Sequence, residues 1–551
     1  MIFPETRSQG DSIPRKSILQ TAIPYSSSLQ ETFRVLGHKS NLACVEVLGQ
    51  ALCSPIPQIR LNALQTLIQR GGEADIATIL ERIDECHEAE LPLLHTQVPL
   101  LLAPIEAGLA DRDPLKRQRA LCAIAKLRIA THFHHLVSAT QSLDDPQQIV
   151  ASELTIGLAT MFGAEARYRL TKNNEANREQ LLSDLWQSML LFNDHRILQI
   201  VDAWLCASHW DDAAFKALFR PTQGEPIHKV AMRQLKQSNR PQIVELLAGV
   251  LWSRGAGPEA VKVVSERNDA SMAQRLAELM SKFGATPFVS KNLAWNIPIP
   301  CLEQFNFADE AISLEHRCAM IQLLSFVDTS PDKVIHGVTK LLGSKDPTVE
   351  PACASAIRNL KSLKTEVVVM VLSDCFENVG MESYVPPPWK ASLRSALERL
   401  LEIYPSQGPA VKGSIEFAFS DFRCEELLKH LDDWPESHLK AYARIVRVAE
   451  VGFVEYIERD AQSQSAVKRS RAIHAVRFLG MEHGLSDIVF EAIEDDSEKV
   501  RVEAIHTITA GLSRREAIEL LIPLLQDENQ SVKTAASFAL SSLESSFHHD
   551  S

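Results

Sequence analysis

The stretch Asp495-Asp-Ser-Glu-Lys-Val500-Arg501-Val-Glu-Ala504 is answered by Asp527-Glu-Asn-Gln-Ser-Val532-Lys533-Thr-Ala-Ala536, with Asp, Val, a basic residue and Ala in matching places. A looser copy runs through Ala466-Val467-Lys468-Arg469 to Ala472. The anchoring valines Val467, Val500 and Val532 stand 33 and 32 residues apart. A period of that length is one pair of antiparallel helices, too small to bury its own apolar face and stable only when stacked on neighbours.

Outward from there the same grammar recurs at Asp111-Arg-Asp-Pro-Leu-Lys-Arg117 to Ala120, at Asp144-Asp-Pro-Gln-Gln-Ile149 and at Lys345-Asp-Pro-Thr-Val349. Worn copies are Asp433-Trp-Pro and Asp269-Ala-Ser-Met272. From Asp111, Asp495 or Asp527 a basic residue follows six places later and an alanine nine places later; Ser54, Arg60 and Ala63 keep that count. Asp suits a helix N-cap, and Pro suits the first helical position, where its missing N–H costs nothing. The alanine lets two backbones approach, and Leu, Ile and Val beyond it, such as Ile508 and Leu540, fill the space between pairs. Near the start, 41–52 and 58–68 read as helices broken by Ser54-Pro-Ile-Pro and closed by Gly71-Gly72. Ile59, Ala63, Leu64, Leu67 and Ile68 form the apolar stripe of the second.

This pattern resembles the HEAT family of helical repeats, over about two thirds of the chain. The resemblance implies an all-α solenoid, a HEAT-like helix-pair superhelix bent into two sub-arrays, and it is nearly silent about function. The expected organisation is an N-terminal arm at 1–28, a repeat array at 29–284 that turns irregular from about 165, and a second array at 302–545. Residues 285–301, with three prolines, read as a non-helical junction, and 546–551 as a tail.

The totals agree with a long array. A chain of 551 residues with 45% hydrophobic and 23% charged residues is a folded protein too long for one ordinary core. A net charge of −13 opposes general nucleic-acid binding, which needs a basic surface. The ten cysteines are scattered with no Cys-x-x-Cys, so they read as small buried hydrophobes in a reducing, cytoplasmic setting. No uncharged apolar run reaches membrane-spanning length and the first residues lack a signal-peptide pattern, so no membrane partner is expected.

Catalytic chemistry finds little purchase. His132, His134 and His135 are the densest histidine cluster, then Cys86, His87 and His95, and neither shows a full ligand set. Deoxyhypusine hydroxylases, built on similar repeats, need several His-Glu pairs; His87-Glu88 is the single one here. The helical-repeat DNA glycosylases need a basic groove with aromatic residues, for which Arg196, Trp204, Trp210 and Asp211 are a superficial match. Phosphate-cradling glycine motifs and the G-x-S-x-G elbow are missing from the sequence. Phycobilin lyases share the repeat type, and a lyase-like enzyme or accessory is the alternative from another class.

The expectation is therefore a non-enzymatic scaffold or adaptor that binds a protein partner on its concave face, with no cofactor and no small-molecule substrate. Candidate contacts are Lys116, Arg117 and Arg119 on one helix, and Lys468, Arg469, Arg501 and Lys533 on a ladder of successive repeats. These suit an acidic peptide, although such basic residues also commonly pair with acids of adjacent turns. Of the seven tryptophans, Trp186, Trp204, Trp210, Trp252 and Trp295 fall in the irregular middle, where core filling is the favoured role.

Overall fold

Asp113 accepts a hydrogen bond from the Leu115 amide, Pro114 opens the helix, and the helix runs Pro114–Lys126. Asp346 does the same for Thr348, and Asp269 for Met272 at the head of Ala270–Phe283. The turn grammar of the sequence is thus the capping grammar of the fold. In the computed structural model the described residues are 27–545, save 39–41, 142–146, 169–173, 192–196, 221–225, 296, 328–330, 361–363, 374–387 and 482–483. Residues 1–26 of the arm, the tail, Cys375, Pro386 and Pro387 lie outside them. Among the described residues the chain is helices joined by short turns, with no strand: an all-α solenoid.

The chain divides into two compact units, one up to Gln234 and one from Leu235. In the first, Pro114–Lys126, Gln148–Tyr168 and Ile197–Ala207 pack in succession, while Phe133–Gln141 and Glu175–Leu191 pack together as a second layer. In the second unit one layer is a continuous ladder: Pro241–Ala248, Ala270–Phe283, Leu314–Leu324, Glu350–Arg358, Pro409–Ala418, Glu436–Ala449, Ala466–Leu479, Glu498–Gly511 and Gln530–Ser545, each packed on the next. The predicted alanines sit at those contacts: Ala63, Ala120, Ala472, Ala504 and Ala536 are all buried.

Several expectations change on contact with the structure. Val500 and Val532 are buried, but Val467 is 61% exposed. The helix Ala466–Leu479 starts after Ser465, and Glu498–Gly511 after Ser497, so the repeat step is 32 residues and Lys468 stands where Val500 does. Matching valine to valine put that copy one residue out of register. Part of 285–301 is helical: Thr286 caps Pro287–Leu293 with Pro287 in the first turn, where proline is harmless. That stretch lies inside the second unit. One helix, Gln148–Tyr168, is long and apolar enough by composition to cross a membrane, although Glu153, Glu165 and Arg167 interrupt it. It packs on Phe133–Gln141 and Ile197–Ala207 and buries Arg167 and Thr155.

Among the described residues six cysteines are buried, and burial pushes the thiols of Cys122, Cys301, Cys353 and Cys424 up to about 12. Cys53 departs from the pattern and is exposed. Trp204, Trp210 and Trp252 fill core as expected, whereas Trp186 and Trp295 are partly exposed.

Among the described glycines of the first unit, Gly163 stands at the closest approach to a neighbouring backbone. An added Cβ would lie 1.9 Å from the Cys206 carbonyl oxygen. Gly157, on the same helix, has open space around it. Gly163→Ala should therefore destabilise the protein by about 1–3 kcal/mol through overpacking. Gly157→Ala should be neutral or stabilise by up to about 1 kcal/mol, because helical glycine loses more entropy than alanine. Denaturant unfolding of the two variants side by side checks this, and equal effects would contradict the close packing.

Candidate functional site

The six-residue count from Asp to a basic residue has a geometric cause. Arg501 donates from Nη1 to the Asp495 carbonyl, six residues back, at 2.6 Å. Its Nε and Nη2 reach forward to both carboxylate oxygens of Asp527 at 2.9 Å. Arg469 repeats the arrangement, to the Ser463 carbonyl at 2.9 Å and to Asp495 at 2.7 and 2.8 Å. Each aspartate also accepts the amide two residues on, Ser497 or Asn529. One carboxylate thereby shapes its own turn and receives the arginine of the preceding repeat.

The first unit uses the same device. Arg60 holds the Ser54 carbonyl at 2.8 Å and the buried carboxylate of Glu90 at 3.0 Å. Arg117 holds the Asp111 and Arg112 carbonyls. Lys126, in the same basic cluster, donates to the carbonyls of Ile83, Asp84 and Cys86 at 2.6–3.0 Å.

So the predicted basic sites separate into two kinds. Arg469 and Arg501 are paired with the aspartates of the following turns, and Arg117 is held through Nη1 by two turn carbonyls. Lys116 pairs with Asp111 at 3.0 Å on the surface. Arg119, Lys468 and Lys533 have no ion-pair partner among the described residues, and Lys468 is exposed. Lys116 and Arg119 share a groove of about 490 Å³ whose floor is Ala77, Ala103, Ala107 and Gly108 and whose rim adds Glu73 and Glu81. The rim is of mixed sign, which does not single out an acidic peptide.

Sequence reasoning missed a second groove, of about 660 Å³, on the ladder of the second unit. It lies between the N-terminal ends of Ala270–Phe283 and Leu314–Leu324. Uncharged amides of Asn268, Gln274, Gln304 and Asn306 line it beside Phe305 and Ile312. Asn268 donates to Gln304 at 2.9 Å. The one carboxylate in its wall, Asp269, is taken up by Arg267 at 2.7 Å, by Ser271 and by the Met272 amide. No periodic signal announces such a groove, because its amides come from a turn, a helix and an irregular loop.

The remaining sequence candidates are local structure. The His134 and His135 rings lie tilted with centroids 4.0 Å apart, and His132 meets Glu106 at 3.1 Å. Burial first, then the neighbouring imidazoles, hold His135 below the ordinary histidine range. No group of three or more His, Cys, Asp or Glu among the described residues is arranged to hold a metal. Trp204 and Trp210 are 3% and 5% exposed, so neither offers a ring to a nucleobase, and Arg196 lies outside the described residues.

A family model described as HEAT repeats matches residues 486–547, the stretch holding the paired Asp495 and Asp527 turns. No curated protein matches the chain. Among solved structures it aligns with a homology model of the full-length AP-3 complex in an intermediate open conformation, at 12% identity over 94% of each chain and a TM-score of 0.25. Karyopherin Kap121p bound to Ste12p aligns at 12% identity and a TM-score of 0.26, over 93% of this chain but only 54% of the other. A structure concerned with the interaction between cadherin and beta-catenin aligns at 13% identity, over 94% of this chain and 97% of the other, with a TM-score of 0.23. Overlays this loose carry nothing about partner or activity.

The arginine ladder has an acid limit. The Arg469 hydrogen bonds hold the Asp495 carboxyl below the usual aspartate range. At Asp527 burial pushes up, but Arg501, the Asn529 amide and the charge of Lys533 outweigh it, and the carboxyl is again lowered. A lowered folded-state value adds stability that is complete above the unfolded value of about 3.9 and is lost as pH falls through the folded value. Thermal stability should therefore fall below about pH 4. Asp527→Asn should cost about 1–2 kcal/mol at neutral pH and flatten that acid limb. An unchanged acid limb would show that the ladder pairs contribute nothing.

Proposed function

We propose that this HEAT-repeat protein is a non-enzymatic scaffold that binds another protein along the concave face formed by successive second helices. The observation that carries this is the groove of about 660 Å³ on the helix ladder, open, neutral and lined by four amides with Phe305 and Ile312. An amide side chain both donates and accepts hydrogen bonds, as a peptide group does. A neutral, amide-lined channel with an apolar wall therefore suits an extended segment, whose main chain is read by the amides and whose apolar side chain packs on the rings.

Arg119, Lys468 and Lys533 would add peripheral contacts, each weak because it is solvated. Affinity would accumulate over several repeats rather than at one deep pocket, and the stacking of small units would let the surface adapt. The cytoplasm is the proposed location.

The test is recovery of partners on the tagged full chain. A protein retained in stoichiometric amount by the wild type should be lost by at least about fivefold on Phe305→Ala with Gln274→Ala, a loss expected when an interfacial aromatic and a hydrogen-bonding amide go together. Circular dichroism should show both variants folded. A partnerless preparation with visible absorbance or bound metal would instead establish an enzyme or accessory.

A further inference from the structure

A third groove, of about 430 Å³, lies between Thr365–Leu372, Cys424–Lys429 and Glu436–Ala449 in the second unit. Its wall is aromatic. His430 lies flat on Trp434, centroids 4.3 Å apart and planes within 4°, and Trp434 meets Tyr442 at 5.3 Å. Tyr442 is buried and fixed, its hydroxyl accepting the Arg423 amide at 3.1 Å. Its rim is acidic: Glu366, Asp421 and Glu426, with no lysine or arginine in the lining.

Three acids at repeat turns of this chain are answered. Asp111 has Lys116, Asp495 has Arg469 and Asp527 has Arg501. Within this groove Glu426 has Lys429 at 2.8 Å. Glu366 and Asp421 are exposed and have no cationic partner among the described residues. Two unanswered carboxylates above an aromatic wall are a complement to one kind of group, a cation with an apolar or planar face.

We propose that this groove takes a cationic side chain from a basic segment of the bound protein, arginine ahead of lysine. A guanidinium is planar and weakly hydrated, so it can stack on the ring wall while its N–H groups meet the carboxylates; a lysine ammonium offers only a point charge. The chain's net charge of −13 draws such a partner in from solution. The polarity is opposite to the acidic peptide that the basic ladder suggested. The proposal rests on the reading of the chain as a protein-binding scaffold, and it specifies the charge of what is bound.

Fluorescence anisotropy on the full chain tests it, with a fluorescein-labelled Gly-Ser peptide carrying a central pair of arginines. Versions with lysine, citrulline or glutamate in their place are the comparisons. The arginine peptide should bind best, lysine more weakly, and citrulline and glutamate at least about tenfold more weakly, the discrimination expected of a paired, partly desolvated charge. Glu366→Gln with Asp421→Asn, both exposed and outside the core, should weaken the arginine peptide by about fivefold or more, and Trp434→Leu likewise.

Equal binding of citrulline and arginine would overturn the proposal. So would arginine binding unchanged in the double carboxylate variant, which would assign it to diffuse surface charge. If a cellular partner is captured while the arginine peptide fails, this groove alone is excluded. If the peptide binds through Glu366, Asp421 and Trp434 but no partner is captured, the cation site stands and the scaffold reading falls.

Discussion

Side-chain donors that close the open carbonyl ends of neighbouring helices hold this solenoid together. The last carbonyls of a helix have no partner within it, and leaving one buried and unpaired costs about 1–3 kcal/mol. Arg70 closes the Leu36 and His38 carbonyls, Arg167 those of Leu205, Cys206 and Ser208, and Arg267 those of Leu235 and Ser238. Asn292 serves Leu251 and Ser253, and Arg471 serves Leu428. Each donor lies some thirty to forty residues from its acceptor, one repeat along the chain. Burying a guanidinium is tolerable only because every such contact also satisfies a backbone group that needed a partner.

This stitch explains how the irregular middle stays in the array after its signature has worn away. Around Arg167 and Arg178 there is no Asp at a turn followed six places later by a basic residue. Yet both arginines converge on the end of Ile197–Ala207, with Asp212 taking the other side of Arg178. Gly163 permits the approach, since any side chain there would meet the Cys206 carbonyl. The regular C-terminal repeats reach the same end more economically. There the Asp that turns the chain is also the anion for the arginine behind it.

Because so much basic charge is engaged inside, the surfaces left for partners are not the ones that composition suggests. Arg469 and Arg501 look like a cationic ladder in sequence and are internal braces in space. What remains open is a neutral amide groove on the ladder and an acidic, aromatic groove at His430, Trp434 and Tyr442. The amides of Asn268, Gln304 and Asn306 sit in turns and loops, where repeats vary freely because packing does not constrain them. The unanswered carboxylates Glu366 and Asp421 become visible as a pair only once separate segments are brought side by side.

By itself the sequence determined the class of fold, the helix starts at Asp113, Asp269 and Asp346, and the buried alanines at each helix contact. These are local matters, settled by capping chemistry and by the period at which small and apolar residues return. It also carried the spacing of Arg60, Arg117, Arg469 and Arg501 without disclosing its purpose. Only the tertiary structure decided the register of the Val467 copy, the helix at Pro287–Leu293, the engagement of the arginines and the place of the grooves. Each of those depends on which groups meet across repeats, and a one-dimensional period says how often the chain returns but not what it meets there.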